Sequence, residues 1–259
     1  MKMNQTAAFA FLLTIAAAHG MAQAGPITFN ESTCSYASAT ATSVTCTTRV
    51  AGVNHTATAT AWSAPTNGNF ALASIDYFPG SGLGITASGE PSNGSQHSAD
   101  NLSGTDAFLM NFGAANFALN QISIGWFSGD ADVSILRYTG TGAPSLASNK
   151  VGTLDLAPGW DWVGDYSTLS TNSTLNFNTG SNAKTGAWWL VSAYNSAYTS
   201  APIQNGFGNG NDYFKLNGFG GALVVAAPPP SKIPEPGSFA LFGIALVGFA
   251  AARRKWQVK

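Results

Sequence analysis

Histidine, cysteine and charge are all scarce in this sequence, and each scarcity removes a class of chemistry. Of three histidines, His19 lies in the N-terminal apolar stretch, and neither His55 nor His97 sits in a His-Glu-x-x-His metalloprotease motif. Cys34 and Cys46, the only cysteines, have eleven residues between them, a spacing that suits neither a zinc site nor a redox pair. No Gly-x-Ser-x-Gly elbow is present. Only 9% of residues are charged, and the charge is unevenly placed. Between Gly25 and Lys232, six basic residues (Arg49, Arg137, Lys150, Lys184, Lys215, Lys232) face eleven acidic ones, a net charge near minus five that the whole-chain value of minus one conceals. An acidic body excludes nucleic acid, whose phosphates require a basic face. A glycosidase needs two suitably spaced carboxylates, and eleven acids select no pair. The chain reads as a non-enzyme, with a secreted hydrolase using His97 and Asp100 the less favoured alternative.

What is abundant is Gly, Ser, Thr and Asn, with short period-two segments between turn clusters, the pattern of an all-β, jelly-roll-like sandwich. Phe108, Met110 and Phe112 share one strand face, and Ile122, Ile124 and Trp126 share another. Ser128-Gly129-Asp130 is expected to turn the chain into Val133–Leu136 as a hairpin. Further strands are expected at Val151–Leu156, Trp160–Tyr166, Leu175–Phe177, Ala187–Tyr194 and Asp212–Leu216. Residues 33–60, rich in Thr, Ser and Ala, read as exposed edge strands.

Both ends carry apolar segments of another kind. Lys2, the apolar run Ala7–Ala18 and the small-x-small site Ala22-Gln23-Ala24 read as a signal peptide over residues 1–24, so that the mature chain begins at Gly25. A single ectodomain, 25–225, is followed by a proline-rich linker, 226–232, extended at about 3 Å per residue. Then come Pro234-Glu235-Pro236, the apolar run Ser238–Ala252 and the basic cluster Arg253-Arg254-Lys255. As a helix that run rises about 22 Å at ~1.5 Å per residue, against a hydrocarbon core of ~30 Å. It is barely long enough to span. The basic cluster favours the cytoplasmic side, which leaves the long N-terminal part facing away from the cytoplasm.

Pro-Glu-Pro, a short apolar helix and an arginine-rich end, in that order over residues 233–259, resemble the PEP-CTERM sorting signal of Gram-negative bacteria. The resemblance implies a partner, the membrane-embedded exosortase of the inner membrane, which removes the tail after transient anchoring through helix 238–252. It implies a destination too, the cell surface or extracellular matrix.

Export makes the cysteines legible: in an oxidising compartment, Cys34 and Cys46 read as a disulfide closing a loop of about a dozen residues.

One constellation carries metal-ligand chemistry, namely Asp100, Asn101, Asp106, Asp130 and Asp132. Carboxylate and amide oxygens at strand ends suit calcium, which takes six to eight oxygen ligands. Convergence requires the strands beginning near Asp106 and Asp132 to be neighbours. The competing reading is Asx turns, in which the same side chains bond their own backbone. The run His97-x-x-Asp100-Asn101, Gly125-Trp126, Asp130-x-Asp132, Trp188-Trp189 and Asp212-Tyr213-Phe214-Lys215 resembles the body of a group of exosortase-dependent surface proteins, and implies a surface role. Trp126, Trp160, Trp162, Trp188 and Trp189 read mainly as core, with exposed sugar platforms as the alternative. The expected function is a structural or adhesive surface protein associated with exopolysaccharide; the alternative is a carbohydrate- or calcium-binding surface module.

Overall fold

A computed structural model describes residues 22–23, 25–36, 41–66, 68–90, 97–167, 169–198, 206–208 and 210–225, together with 244 and 246. The chain divides into two compact units, Met1–Val225 and Ala226–Lys259. The sorting residues Pro234, Glu235, Pro236, Arg253, Arg254 and Lys255, the linker and the signal peptide up to residue 21 lie outside the described residues. Of the expected helix 238–252, Ile244 and Leu246 are described; both are helical and exposed. Among the described residues no helix is long and apolar enough to cross a membrane.

The first unit is all-β. Its strands are β1 (Ala22–Gln23), β2 (Ile27–Asn30), β3 (Cys34–Tyr36), β4 (Ser43–Val50), β5 (Val53–Pro65), β6 (Ala71–Leu72), β7 (Ser74–Phe78) and β8 (Gly82–Thr86), followed by β9 (Ala99–Asp100), β10 (Gly104–Asn111), β11 (Phe117–Gly129), β12 (Val133–Tyr138), β13 (Trp160–Tyr166), β14 (Ser173–Asn176), β15 (Trp188–Ala193) and β16 (Asp212–Val225). Two antiparallel sheets result. In the first the order is β14-β11-β16-β8-β7, and in the second β13-β12-β15-β10-β5-β4-β3, with β6 along β5. The 14-residue β16 is the spine of the first sheet. One edge pairs with β11 from Leu223 back to Asp212, and the other is covered in turn by β1, β2, β8 and β9.

The facing sides of the two sheets share one core. Phe29, Ile85, Leu119, Ile122, Ile124, Phe214 and Phe219 from the first sheet meet Val44, Phe108, Met110, Ile135, Trp189 and Val191 from the second. The expected strand faces Phe108/Met110/Phe112 and Ile122/Ile124 belong to this core. Trp126 does not, because the register of β11 shifts between Ile124 and Trp126. Each large apolar side chain buried here contributes about 1.5–3 kcal/mol.

The second sheet is covered on part of its outer face as well. Ala107, Leu109, Leu136 and Leu190 pack there against Leu146, Val151, Leu154 and Tyr198, carried by 3-10 turns at Leu146–Ser148, Val151–Leu156 and Ser196–Tyr198. Hence β10 is buried continuously from Thr105 to Met110 instead of alternating.

Three expectations are corrected by this arrangement. Val151–Leu156 forms 3-10 turns, not a strand: its spaced apolar residues serve as a lid over the outer face. Ser128-Gly129-Asp130 is no hairpin, because β11 belongs to the first sheet and β12 to the second. The chain crosses between layers there, with Gly129 at φ +71° supplying the bend. Nor are the strands after Asp106 and Asp132 neighbours, since β15 runs between β10 and β12. The disulfide Cys34–Cys46 is formed, and joins a directly opposed pair on β3 and β4. This hairpin end is an edge of the second sheet, as expected.

Candidate functional site

The crossing from β11 to β12 carries Asp130 and Asp132 past the start of β16, and a polar knot forms there. The Asp130 N–H donates to the Asn211 carbonyl at 3.1 Å, and its carbonyl accepts from the Tyr213 N–H at 3.0 Å. The Asp132 N–H donates to Asp212 Oδ1 at 2.9 Å, and the Tyr194 N–H donates to the Asp132 carbonyl at 3.0 Å. Asn101, arriving next to β9, uses its whole amide. Its Nδ2 donates to Asp212 Oδ2 at 2.5 Å and to the Tyr194 carbonyl at 2.9 Å; its Oδ1 accepts from the N–H groups of Gly210 at 2.9 Å and Asp212 at 3.0 Å. Both sheets are thereby stitched at one end.

Carboxylate oxygens of Asp130, Asp132 and Asp212 lie within 4.8 Å of one another. Asp132 and Asp212 are completely buried. Burial pushes the Asp212 carboxyl up to about 7, the nearby Asp132 and Asp130 charges add to that rise, and the hydrogen bonds from the Asp132 N–H and Asn101 oppose it. These are the residues that could hold a cation.

Asp100 and Asp106 go elsewhere. With Ser63, Leu72, Glu90 and Ser103 they line a groove of about 410 Å³. The Asp100 N–H donates to Asp106 Oδ2 at 3.3 Å, and Asp100 Oδ1 accepts from the Leu102 N–H at 3.0 Å. Burial raises Asp100 to about 6. It raises Asp106 well above the usual carboxylate range, with the Asp100 charge adding to the effect. The five residues proposed from sequence therefore split: Asp130 and Asp132 join Asp212, Asn101 braces Asp212, and Asp100 with Asp106 belongs to the groove. The spacing gave no way to pair Asn101 with a residue 111 positions away. The one signal in the sequence is Asp212-Tyr213-Phe214-Lys215, a segment of the surface-protein resemblance whose first residue is the third carboxylate of the knot.

His97 is not paired with Asp100. Its Nδ1 lies 3.0 Å from Asp76 Oδ2, and the Thr86 hydroxyl touches both groups. Phe78 flanks the His97 ring, with centroids 6.4 Å apart. Lys215 continues the row, its Nζ 3.7 Å from the Phe78 ring centroid and 4.3 Å from that of Trp126. Burial lowers the Lys215 pKa and Asp76 opposes the drop. His97, Trp126 and Lys215, far apart in sequence, thus form one patch beside the knot. Gly125, next to Trp126, has no room for a side chain: a Cβ there would stand 2.3 Å from the Ser81 carbonyl oxygen.

Two of the five candidate platform tryptophans are buried and three are half-buried. Trp189 and Trp160 are buried, Trp162 and Trp188 pack against the outer cluster, and Trp126 stacks on Lys215. Trp188 and Trp189 point to opposite faces of β15, and both faces are covered.

The fold defines a class, an all-β unit of two antiparallel sheets, Met1–Val225, followed by a second unit, Ala226–Lys259. A family model of the PEP-CTERM protein-sorting motif matches residues 232–255. The chain therefore carries that sorting motif, which indicates an exosortase-sorted protein of the cell envelope or surface. No curated protein and no solved structure matches the chain.

Proposed function

We propose that this protein is a structural or adhesive component of the cell surface or extracellular matrix, associated with exopolysaccharide, whose jelly-roll-like sandwich is displayed after exosortase removes the tail. The observation that supports this reading is the engagement of the reactive side chains in the architecture. Asp212 is braced by Asn101 and the Asp132 N–H, His97 is held by Asp76 and Thr86, and both cysteines are in the disulfide. Groups used as cross-links suit a durable surface body better than a turnover cycle. The test is localisation of the protein with and without residues 233–259, in cells making and lacking exopolysaccharide. Surface retention that requires both the tail and the polysaccharide supports the reading; retention indifferent to the polysaccharide overturns it. Mass spectrometry of surface protein is expected to find no peptide spanning Arg253–Lys259.

Calcium binding is the second reading, favoured by the convergence of the Asp130, Asp132 and Asp212 carboxylates within 4.8 Å. Against it stand the N–H donors already bonded to Asp130 Oδ1 and to both carboxylate oxygens of Asp212. Isothermal titration decides: heat on adding calcium that disappears in Asp130→Asn supports the ion, and no heat leaves the knot as a hydrogen-bonded cross-link.

A further inference from the structure

The β3–β4–β5 edge of the second sheet bears a regular lattice of hydroxyls on its outer face. Directly opposed pairs are Ser43 with Thr60, Thr45 with Thr58 and Thr47 with Thr56. Ser35 extends the middle row beyond Thr45, and Asn111 extends it beyond Thr58. Each of these side chains is exposed or half-exposed, while the alternate residues Val44, Cys46, Ala57 and Ala59 are buried in the core. Among the described residues, the Thr45, Thr47, Thr56, Thr58 and Thr60 hydroxyls make no side-chain hydrogen bond within the protein. The outer cluster covers the neighbouring strands but stops at this point, with the half-buried Trp62 and Trp188 as its border.

Pairing across strands sets a spacing of about 4.8 Å, and alternation along them one of about 6.8 Å. The disulfide beneath the lattice fixes β3 against β4. The chemistry of the face selects its occupant. It bears no carboxylate, and its one charge is Arg49, opposite Asn54 at the hairpin end; the rest of the body is acidic. A neutral partner is therefore matched: the face offers no carboxylate to a cationic one, and the acidic body repels a strongly anionic one. The eight positions of the face, at about 4.8 by 6.8 Å each, make a lattice of roughly 260 Å², about a third of the ~800 Å² per partner that a stable protein interface buries. Adjacent strands are rotated by about 20–25°. A rigid crystalline surface loses register over four such strands, whereas a flexible chain follows the twist.

We propose that this threonine lattice is a docking face for a neutral, hydroxyl-bearing polysaccharide chain, laid across β3, β4, β5 and the end of β10 and bordered by Trp62 and Trp188. The proposal deepens the matrix-associated reading and rests on it for the availability of such a polymer. Each hydroxyl contact is weak, about 0.5–1.5 kcal/mol net, so retention depends on repeated contacts along the chain.

The test is native affinity electrophoresis of the protein isolated from its producing cells, in gels containing dextran, galactomannan or hydroxyethylcellulose, with alginate as the anionic comparator. Retardation by at least one neutral polymer is expected. The variant T45V/T47V/T56V/T58V keeps side-chain shape and β propensity, and should weaken retardation at least tenfold without lowering Tm; Thr58→Val alone should weaken it several-fold, and keeps the test valid if the quadruple variant misfolds. Arg49→Gln should retain it. Undiminished retardation of the valine variants, retardation by alginate alone, no retardation by any neutral polymer, or a concentration-dependent dimer abolished by the same variants overturns the proposal. If polysaccharide-dependent surface retention persists in the valine variants, the lattice fails while the matrix-associated reading stands.

Discussion

Asn101 and Asp212 grip each other from both ends: the Asn101 Nδ2 donates to the Asp212 carboxylate at 2.5 Å, and the Asp212 backbone N–H donates to Asn101 Oδ1 at 3.0 Å. Because the same amide also holds Gly210 and Tyr194, one side chain joins β9, the end of β15 and the start of β16. Asn101→Ala strands two buried backbone groups, at Tyr194 and Asp212, and a half-buried one at Gly210, and is expected to cost about 2–4 kcal/mol. Urea denaturation checks it. A loss below 1 kcal/mol means water replaces the amide.

The acids near this knot give stability a definite pH dependence. Asp212 is raised to about 7 and Asp100 to about 6, both chiefly by burial, against about 3.9 for an unfolded aspartate. Folding therefore takes up protons. The contribution of these two acids to stability is fully present below about pH 4 and is lost as pH rises through about 6 to 7. The urea midpoint should fall across that window, the reverse of ordinary acid denaturation. Asp106→Asn keeps an acceptor for the Asp100 N–H and removes a buried ionisable group, so it should raise Tm at pH 8, leave it nearly unchanged at pH 4, and flatten the profile.

Much of the β architecture was legible because alternation reports burial on one face, as at Ile122/Ile124 and Phe108/Met110. Two kinds of feature were hidden. The Gly129-Asp130 bend is locally a good hairpin turn, but whether β12 pairs with β11 or crosses to β15 depends on residues some sixty positions away. Val151–Leu156 has strand-like apolar content, yet its role as a lid exists only because Leu109, Leu136 and Leu190 need covering. The site shows the same limit. Asp100 to Asp132 was readable as a cluster of oxygen donors, whereas its division between groove and knot is imposed by where β16 begins.

The cross-strand disulfide can be separated from the packing around it. Cys34 and Cys46 are 12 positions apart, and closing a loop of that size restricts the unfolded chain by roughly 3 kcal/mol. Reduction, or the double change to serine, should lower Tm by several degrees. The threonine hairpin should become the first part to exchange its amide hydrogens, because β3 is an edge strand with one neighbour. Unchanged exchange there after reduction refutes the pinning role.

Gly125 ties the outer patch to the sheet beneath it. It lies in the register shift between Ile124 and Trp126, and an added Cβ would meet the Ser81 carbonyl oxygen at 2.3 Å and Asn217 Nδ2 at 2.9 Å. Ser81 belongs to the turn before β8, so the close approach holds that turn against β11. Relief requires backbone movement, not a rotamer change, and the expected cost of Gly125→Ala is about 1–3 kcal/mol. Trp126 would be displaced from Lys215, now 4.3 Å from its ring. Lys215→Met separates the two effects: it preserves volume and leaves Gly125 in place, so stability should hold within about 1.5 kcal/mol. A Gly125→Ala protein that melts like the parent and keeps its tryptophan emission would show that this approach is not what seats Trp126.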